Sequence, residues 1–239
     1  MPLSDLRAGK RELDPKTLHY LRDILRLGVG DSFVAFDAAA AVEATAVLLE
    51  DFGLGAHCTL SEPRTPSRIA DSGITLIQAL GKADKTEQVV RAATALGVAE
   101  IHLIESARSV ARAGDRTDSK RARLESIALD AARQSLRGDV PQIAGPHSFE
   151  HEMKTYVERS ALKVCLAPGA ASSLRVQTRA WSLGEPIALM VGPEGGFAPE
   201  ELARAERAGF IAARFGELVL RTELAGIAAL GALLLLSEP

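Results

Sequence analysis

Only two cysteines, Cys58 and Cys165, occur in 239 residues, far apart and outside any CxxC pattern. Their scarcity excludes a disulfide framework and a cysteine-rich zinc site, and fits a reducing, cytoplasmic setting. The opening residues, MPLSDLRAGKRELD, hold no apolar segment of the secretory type. The longest apolar stretch, Ile227 to Leu236, is too short to span a bilayer, so no membrane role is expected. Basic residues are not in excess: 28 Lys and Arg face 31 Asp and Glu, for a net charge of −3. Proteins that coat nucleic acid nonspecifically usually carry a large positive balance.

The familiar nucleotide signatures are missing too. Gly28-Val-Gly-Asp-Ser-Phe and Gly53-Leu-Gly-Ala-His-Cys both lack the third glycine of a dinucleotide fingerprint, and neither GxxxxGK[ST] nor GxSxG occurs. Hydride transfer, nucleotide hydrolysis and serine hydrolysis therefore recede. His147 and His151 flank Glu150 without a third ligand, so no metal is expected. No internal repeat or low-complexity tract is present.

What remains is the balance of a globular protein, 47% hydrophobic and 25% charged, at a length that suits a small domain followed by a larger one. Residues 1 to about 65 read as β-rich, with short apolar runs (Ser32-Phe-Val-Ala-Phe, Ala44-Thr-Ala-Val-Leu-Leu) between glycines and Asp37. One helix interrupts them: Asp14-Pro15 is an N-cap followed by proline, and Leu18, Leu21, Ile24, Leu25 and Leu27 follow at helical spacing. Ser61 to Arg68, with two prolines and no apolar pattern, reads as a linker.

Beyond it, strands and helices alternate. Gly73 to Leu80, Val98 to Ile104, Leu162 to Leu166, Pro186 to Val191 and Ile211 to Phe215 are strand candidates. Asp84 with Glu87 resembles a capping box before Val89, Val90, Ala93 and Leu96, and Gly97 closes that helix. A helix is expected over Lys120 to Leu136, stopped by Gly138 and Pro141, and another over Pro199 to Ala208. The last, Glu223 to Leu236, capped by Thr222, is apolar nearly all round, which fits a core helix or one packed on a second subunit. This order predicts an α/β fold with a mostly parallel sheet.

Ligands of such sheets bind at the carboxyl ends of strands. Three loops stand there: Leu166-Ala-Pro-Gly-Ala, Val191-Gly-Pro-Glu-Gly-Gly-Phe, and Phe215 to Glu223. The second holds three glycines in five residues, which lets bare main chain approach a ligand, although a tight chain reversal would explain the same composition. From Ser106 to Arg137, eight basic residues (Arg108, Arg112, Arg116, Lys120, Arg121, Arg123, Arg133, Arg137) face four acidic ones (Asp115, Asp118, Glu125, Asp130). That stretch is either a solvated face or a phosphate-contacting one.

In combination, Leu80-Gly-Lys-Ala-Asp-Lys-Thr-Glu, Ala95-Leu-Gly-Val-Ala-Glu-Ile, Ala131-Ala-Arg-Gln-Ser, Val191-Gly-Pro-Glu-Gly-Gly-Phe and Leu220-Arg-Thr-Glu-Leu-Ala resemble the RsmE family of ribosomal RNA methyltransferases. Their order and spacing over residues 73 to 236 make the likeness specific; Leu18-His-Tyr-Leu-Arg-Asp-Ile-Leu-Arg-Leu with Gly30-Asp is a weaker echo. The resemblance implies a PUA-like RNA-binding domain over 1–66 and a SPOUT domain over 70–239 with a C-terminal trefoil knot. It further implies a homodimer, S-adenosylmethionine as cofactor, and methylation of a uridine N3 in small-subunit ribosomal RNA. By the same carry-over, the cofactor residues would be Leu166, Ala167, Pro168, Gly192, Gly196, Leu218, Leu220, Arg221, Thr222 and Ala225. Arg221 would stabilise charge on the uracil and Glu194 would accept or relay its proton. Lys82, Lys85, Arg133 and Arg137 would contact phosphates, and Gln134 a base or the partner subunit.

Three departures stand out. Met1-Pro-Leu-Ser-Asp-Leu-Arg replaces a basic and aromatic opening strand, Leu136 stands where glycine is common, and Ala38 to Ala41 replace a glycine-containing turn. A ribose 2′-hydroxyl or a tRNA base as target, or a noncatalytic RNA-binding factor, are the alternative readings.

Overall fold

A computed structural model describes residues 1–37, 40, 42–49, 56–69, 72–82, 84–109, 117–159 and 161–236. Ala38, Ala39 and Ala41, together with Gly53, Arg112, Asp115 and Arg116, lie outside the described residues. The chain divides into two compact units, Met1–Ile69 with Leu136–Asp139, and Ala70–Ser135 with Val140–Pro239.

The first unit is built on strands β1 (Gly9–Glu12), β2 (Ser32–Asp37), β3 (Val42–Leu48) and β4 (His57–Leu60), antiparallel in the order β1-β4-β3-β2. Helix α1 (Pro15–His19) starts as its sequence predicts: the Asp14 carboxylate accepts from the Lys16 and Thr17 N–H groups at 3.0 Å each, with proline in the first turn. It then widens into a π-helical turn, Tyr20–Ile24. That corrects the expected uniform helical face. A wider turn rotates later residues off the apolar stripe, so Leu21 is fully buried while Ile24 and Leu25 are exposed.

The altered N-terminus still lies along the sheet edge. The Leu3 N–H donates to the Phe36 carbonyl at 2.9 Å, and the Phe36 N–H to the Met1 carbonyl at 2.8 Å. The segment Ser61 to Arg68 is not the free linker its prolines suggested. Arg64 and Glu43 exchange backbone hydrogen bonds at 2.8 Å, and the Arg64 guanidinium donates to the Glu43 carboxylate at 3.0 Å. Glu43 is buried, and a buried carboxylate needs a cation at hand.

The second unit is a six-stranded, wholly parallel sheet. Its strands are β5 (Ile74–Ala79), β6 (Glu100–Glu105), β7 (Gln142–Ser148), β8 (Leu162–Leu166), β9 (Ile187–Val191) and β10 (Ile211–Ala213), in the order β10-β8-β9-β5-β6-β7. Every residue of β5 and β9 is buried, as a sheet covered on both faces requires. The helices are α2 (Lys85–Ala95), α3 (Thr117–Gln134), α4 (Phe149–Val157), α5 (Leu174–Gln177), α6 (Pro199–Arg207) and α7 (Thr222–Leu236). One face of the sheet packs Ile74, Leu76 and Leu189 under Val89 and Val90 of α2 and Leu230 and Leu233 of α7. The other packs Ile77 and Met190 under Met153 and Tyr156 of α4 and Ala205 of α6. Among the described residues, no helix is long and apolar enough to cross a membrane.

Several local expectations are corrected. Asp84 does not cap α2: it is already helical, and its carboxylate accepts from the Gln88 side chain at 2.8 Å, while Glu87 pairs with Arg123 at 2.8 Å. Strand β7 and helices α4 and α5 were not anticipated, because Gly145-Pro146 interrupts the first and the helices are short. Gly138 is less a helix stop than a point of close approach: a Cβ there would lie 2.5 Å from Pro66. The chain reversal after α3 falls on Leu136, at φ +58° and largely exposed. A left-handed backbone penalises a branched side chain but not glycine. Leu136→Gly is therefore expected to stabilise the protein by roughly 0.5 kcal/mol, a rise of about 2 °C in a thermal melt. A lower melting temperature would count against strain at this position.

A partly buried ionic chain, with Glu152 at its buried end, links α4 to the amino end of β6. His102 is held between Glu152, through Nδ1, and Glu100, through Nε2 at 3.0 Å. Glu100 in turn takes Arg159 at 2.7 and 2.8 Å, and Arg159 donates to the Tyr156 hydroxyl at 3.0 Å.

Candidate active site

Strands β8, β9 and β10 end side by side, and the loops leaving them enclose a cavity of about 850 Å³, within the range typical of small-molecule sites. From the β8 loop come Leu166, Ala167 and Pro168; from the β9 loop, Gly192, Glu194 and Gly196; from the last loop and α7, Leu218, Leu220, Arg221, Thr222 and Ala225. All ten residues expected at a cofactor, and Glu194, thus face one space. Sequence reasoning did not single out Arg108, Phe197, Leu202, Phe215 or Val219, which also line it. Arg108 had one usable signal, its place in the basic stretch just after a strand.

The loops are fastened to each other. The Ala167 N–H donates to the Ala213 carbonyl at 2.9 Å, and Arg214 is bracketed by Ser172 and Leu174 through backbone bonds of 2.9 and 2.8 Å. The Arg214 guanidinium reaches the Ala170 and Ala171 carbonyls as well. In the β9 loop, Gly196 sits at φ +66°, and its N–H donates to the Pro193 carbonyl at 2.8 Å. Gly192 abuts the Phe197 ring, where a Cβ would approach to 3.2 Å. These two glycines serve the turn and its packing while leaving the main chain bare toward the cavity.

Thr222 does not cap α7 as expected, since it already lies in the first turn. Its hydroxyl donates to the Gly192 carbonyl and accepts from Gln78 Nε2 at 3.3 Å, which ties α7 to the glycine loop and to β5.

Lys85 departs from its expected role as a free phosphate contact. Its ammonium lies 3.0 Å from Glu194 and 3.3 Å from Glu223, and the hydrogen bond it donates to Glu194 holds its pKa above the usual lysine value. Burial alone would raise the Glu194 pKa, but its own backbone N–H and Lys85 outweigh that and hold it below the usual carboxylate range. Glu194 is therefore an ionised carboxylate at neutral pH. Arg221 is exposed at the wall, and among the described residues its guanidinium makes no ion pair. Burial pushes the Cys165 thiol up to about 12, so it does not supply a thiolate.

The remaining expected RNA contacts do not line the cavity. Lys82 is exposed, and its charge contributes to the lowered Glu194 pKa. Gln134 is exposed at the end of α3, where Arg133 pairs with Asp130 at 3.0 Å. Arg137 is corrected outright: it is buried and grips Asp139 through two bonds of 2.8 and 2.7 Å. A phosphate would have to displace both. The His147 and His151 rings meet in a tilted contact, centroids 4.8 Å apart, and among the described residues no group of three His, Cys, Asp or Glu is placed to hold a metal.

A parallel α/β sheet with its strand ends converging on one mostly apolar, glycine-bordered cavity defines a protein that binds a small molecule at the carboxyl edge of the sheet. The chain belongs to the RNA methyltransferase domain family, whose model matches residues 70–234. It is similar to a ribosomal RNA small subunit methyltransferase E of Mycobacterium bovis, 36% identical over 163 residues covering 66% of this chain. The match spans only 62% of that relative's length. The protein of the same name from Bacillus subtilis is 27% identical over 90% of this chain and 86% of its own. Among solved structures, the ribosomal RNA small subunit methyltransferase E of Neisseria gonorrhoeae bound to S-adenosyl methionine superposes with a TM-score of 0.83. It is 26% identical and covers 98% of this chain and 96% of its own. The resemblance read from the sequence blocks is borne out by these matches.

Proposed function

We propose that the chain transfers a methyl group from S-adenosylmethionine to N3 of a uridine in small-subunit ribosomal RNA, in the cytoplasm and as a homodimer. The observation that carries this reading is the convergence of three separate loops on one cavity lined by bare glycine backbone. The residues present fit the cofactor. The apolar side chains of Leu166, Leu218 and Leu220 suit a nucleoside face, and the cavity volume suits a molecule of that size. The cofactor supplies an electrophilic methyl group.

The protein's own residues handle the acceptor. Uracil N3 is a poor nucleophile until its proton leaves, and it lies on the pairing edge, so the base must be unpaired to reach the cavity. Arg221, with no carboxylate partner among the described residues, would stabilise negative charge developing on the uracil. Glu194, kept ionised by Lys85, would accept or relay the proton. Three further features support the finer reading. The parallel bridge between Ser173 and Arg214 lays the loop after β8 beside the segment after β10, a neighbourhood compatible with a C-terminal trefoil knot of the SPOUT type. The antiparallel sheet of the first unit with helix α1 fits a PUA-like RNA-binding domain. Leu218, Val219 and Leu224 are apolar and exposed beside the cavity, a surface suited to a second copy of the chain.

Calorimetry should detect one S-adenosylmethionine bound per chain, and tritiated cofactor should label unmodified small-subunit ribosomal RNA at a uridine base. Absence of binding heat would leave a noncatalytic protein. Label on a ribose or in tRNA would move the substrate.

A further inference from the structure

The cavity wall carries three cations in different surroundings. Lys85 is held by two carboxylates, and Arg221 projects from the last loop. Arg108, just past β6, donates from Nη1 to the Gly195 carbonyl at 3.0 Å, a neutral acceptor, and among the described residues its charge meets no carboxylate. A guanidinium has five N–H donors, so most remain for an anion.

The position of Arg108 is built rather than incidental. Glu201, in the first turn of α6, accepts from the Ser106 hydroxyl at 3.0 Å, the Ala107 N–H at 2.8 Å and the Ala198 N–H at 2.9 Å. The Ser106 N–H donates to Ser109 Oγ at 3.1 Å, and both serines are buried. The turn bearing Arg108 is thereby pinned to the start of the helix that follows the glycine loop. The stem of Arg108 lies over Gly195, where a Cβ would meet it at 3.5 Å. Elsewhere on the second unit, the described arginines of the basic stretch are engaged: Arg123 with Glu87, Arg121 with Glu125 and Arg133 with Asp130.

We infer that Arg108 is a substrate-binding residue that takes a backbone phosphate of the RNA at the mouth of the cavity. The inference rests on RNA methylation as the function. A chain of net charge −3 needs local cations to hold a polyanion. An exposed guanidinium on a pinned turn, facing the cavity, is placed to orient the nucleotide that enters it.

The test compares the wild-type chain with Arg108→Gln, which keeps an N–H donor for Gly195 but removes the charge, and with Arg108→Ala. Methyl transfer to unmodified small-subunit ribosomal RNA, filter binding of the same RNA, and calorimetry with S-adenosylmethionine are measured between about 50 and about 200 mM salt. Both variants should raise KM and the RNA Kd about tenfold, leave kcat and cofactor affinity within about twofold, and flatten the log–log salt dependence of RNA binding by about one phosphate. An unchanged salt slope would overturn the proposal. So would weakened cofactor affinity with RNA binding intact, which would assign the guanidinium to the cofactor. Were the wild type to transfer no methyl group, the functional reading would fail, while the RNA-binding slopes would still decide Arg108.

Discussion

Arg221→Ala is expected to lower the single-turnover rate of methyl transfer about 10²- to 10³-fold, the usual cost of removing one donor aimed at developing negative charge. Binding of S-adenosylmethionine should weaken far less, because the apolar walls and the bare backbone of Gly192 and Gly196 persist. An ion pair bracing the loop would be the other role open to this arginine, and no such pair exists among the described residues. The melting temperature should therefore stay within about 2 °C, as for most exposed substitutions. Thermal unfolding beside rapid-quench kinetics separates the roles. Turnover at the wild-type level would remove Arg221 from the chemistry, and a large loss of stability would return it to the structural role.

The second large effect lies at the other end of the sheet. Removing His102 leaves the Glu152 carboxylate, 2% exposed, without its partner. His102→Leu should cost about 3 kcal/mol, because an uncompensated buried charge is far more expensive than the pair was worth. That corresponds to a melting temperature lower by about 10 °C in a chain of this length. The pH dependence follows from the same contacts. Burial alone would lower the His102 pKa, but Glu152 and Glu100 outweigh it and hold it above 6.5. A native pKa above the unfolded one gives stability that is complete below the unfolded value of 6.5 and is lost as pH rises through the native value. The wild type should therefore lose stability on going from pH 6.5 into the alkaline range, and His102→Gln should be flatter over that window. A wild-type profile as flat as that of the variant would show that the imidazole is not charged in the folded protein.

The sequence on its own settled whatever depends on local rules. The apolar run Ile187 to Val191 had to be a buried strand; Asp14-Pro15 had to start a helix; and glycines after strand ends had to mark turns that bring bare backbone close to something. The blocks around Gly192 and Arg221 named the family because those side chains and spacings are specific in themselves. Other features were decided only by tertiary structure, because they depend on partners distant in sequence. Lys85 meets Glu194 across 109 residues and becomes a fixed counter-ion instead of a phosphate contact. Thr222, an apparent cap, spends its hydroxyl on a glycine carbonyl 30 residues away. Arg108, unremarked among eight basic residues, reaches the cavity only because Glu201 pins its turn. A charge has a role only when its neighbours are known, and folding supplies those neighbours.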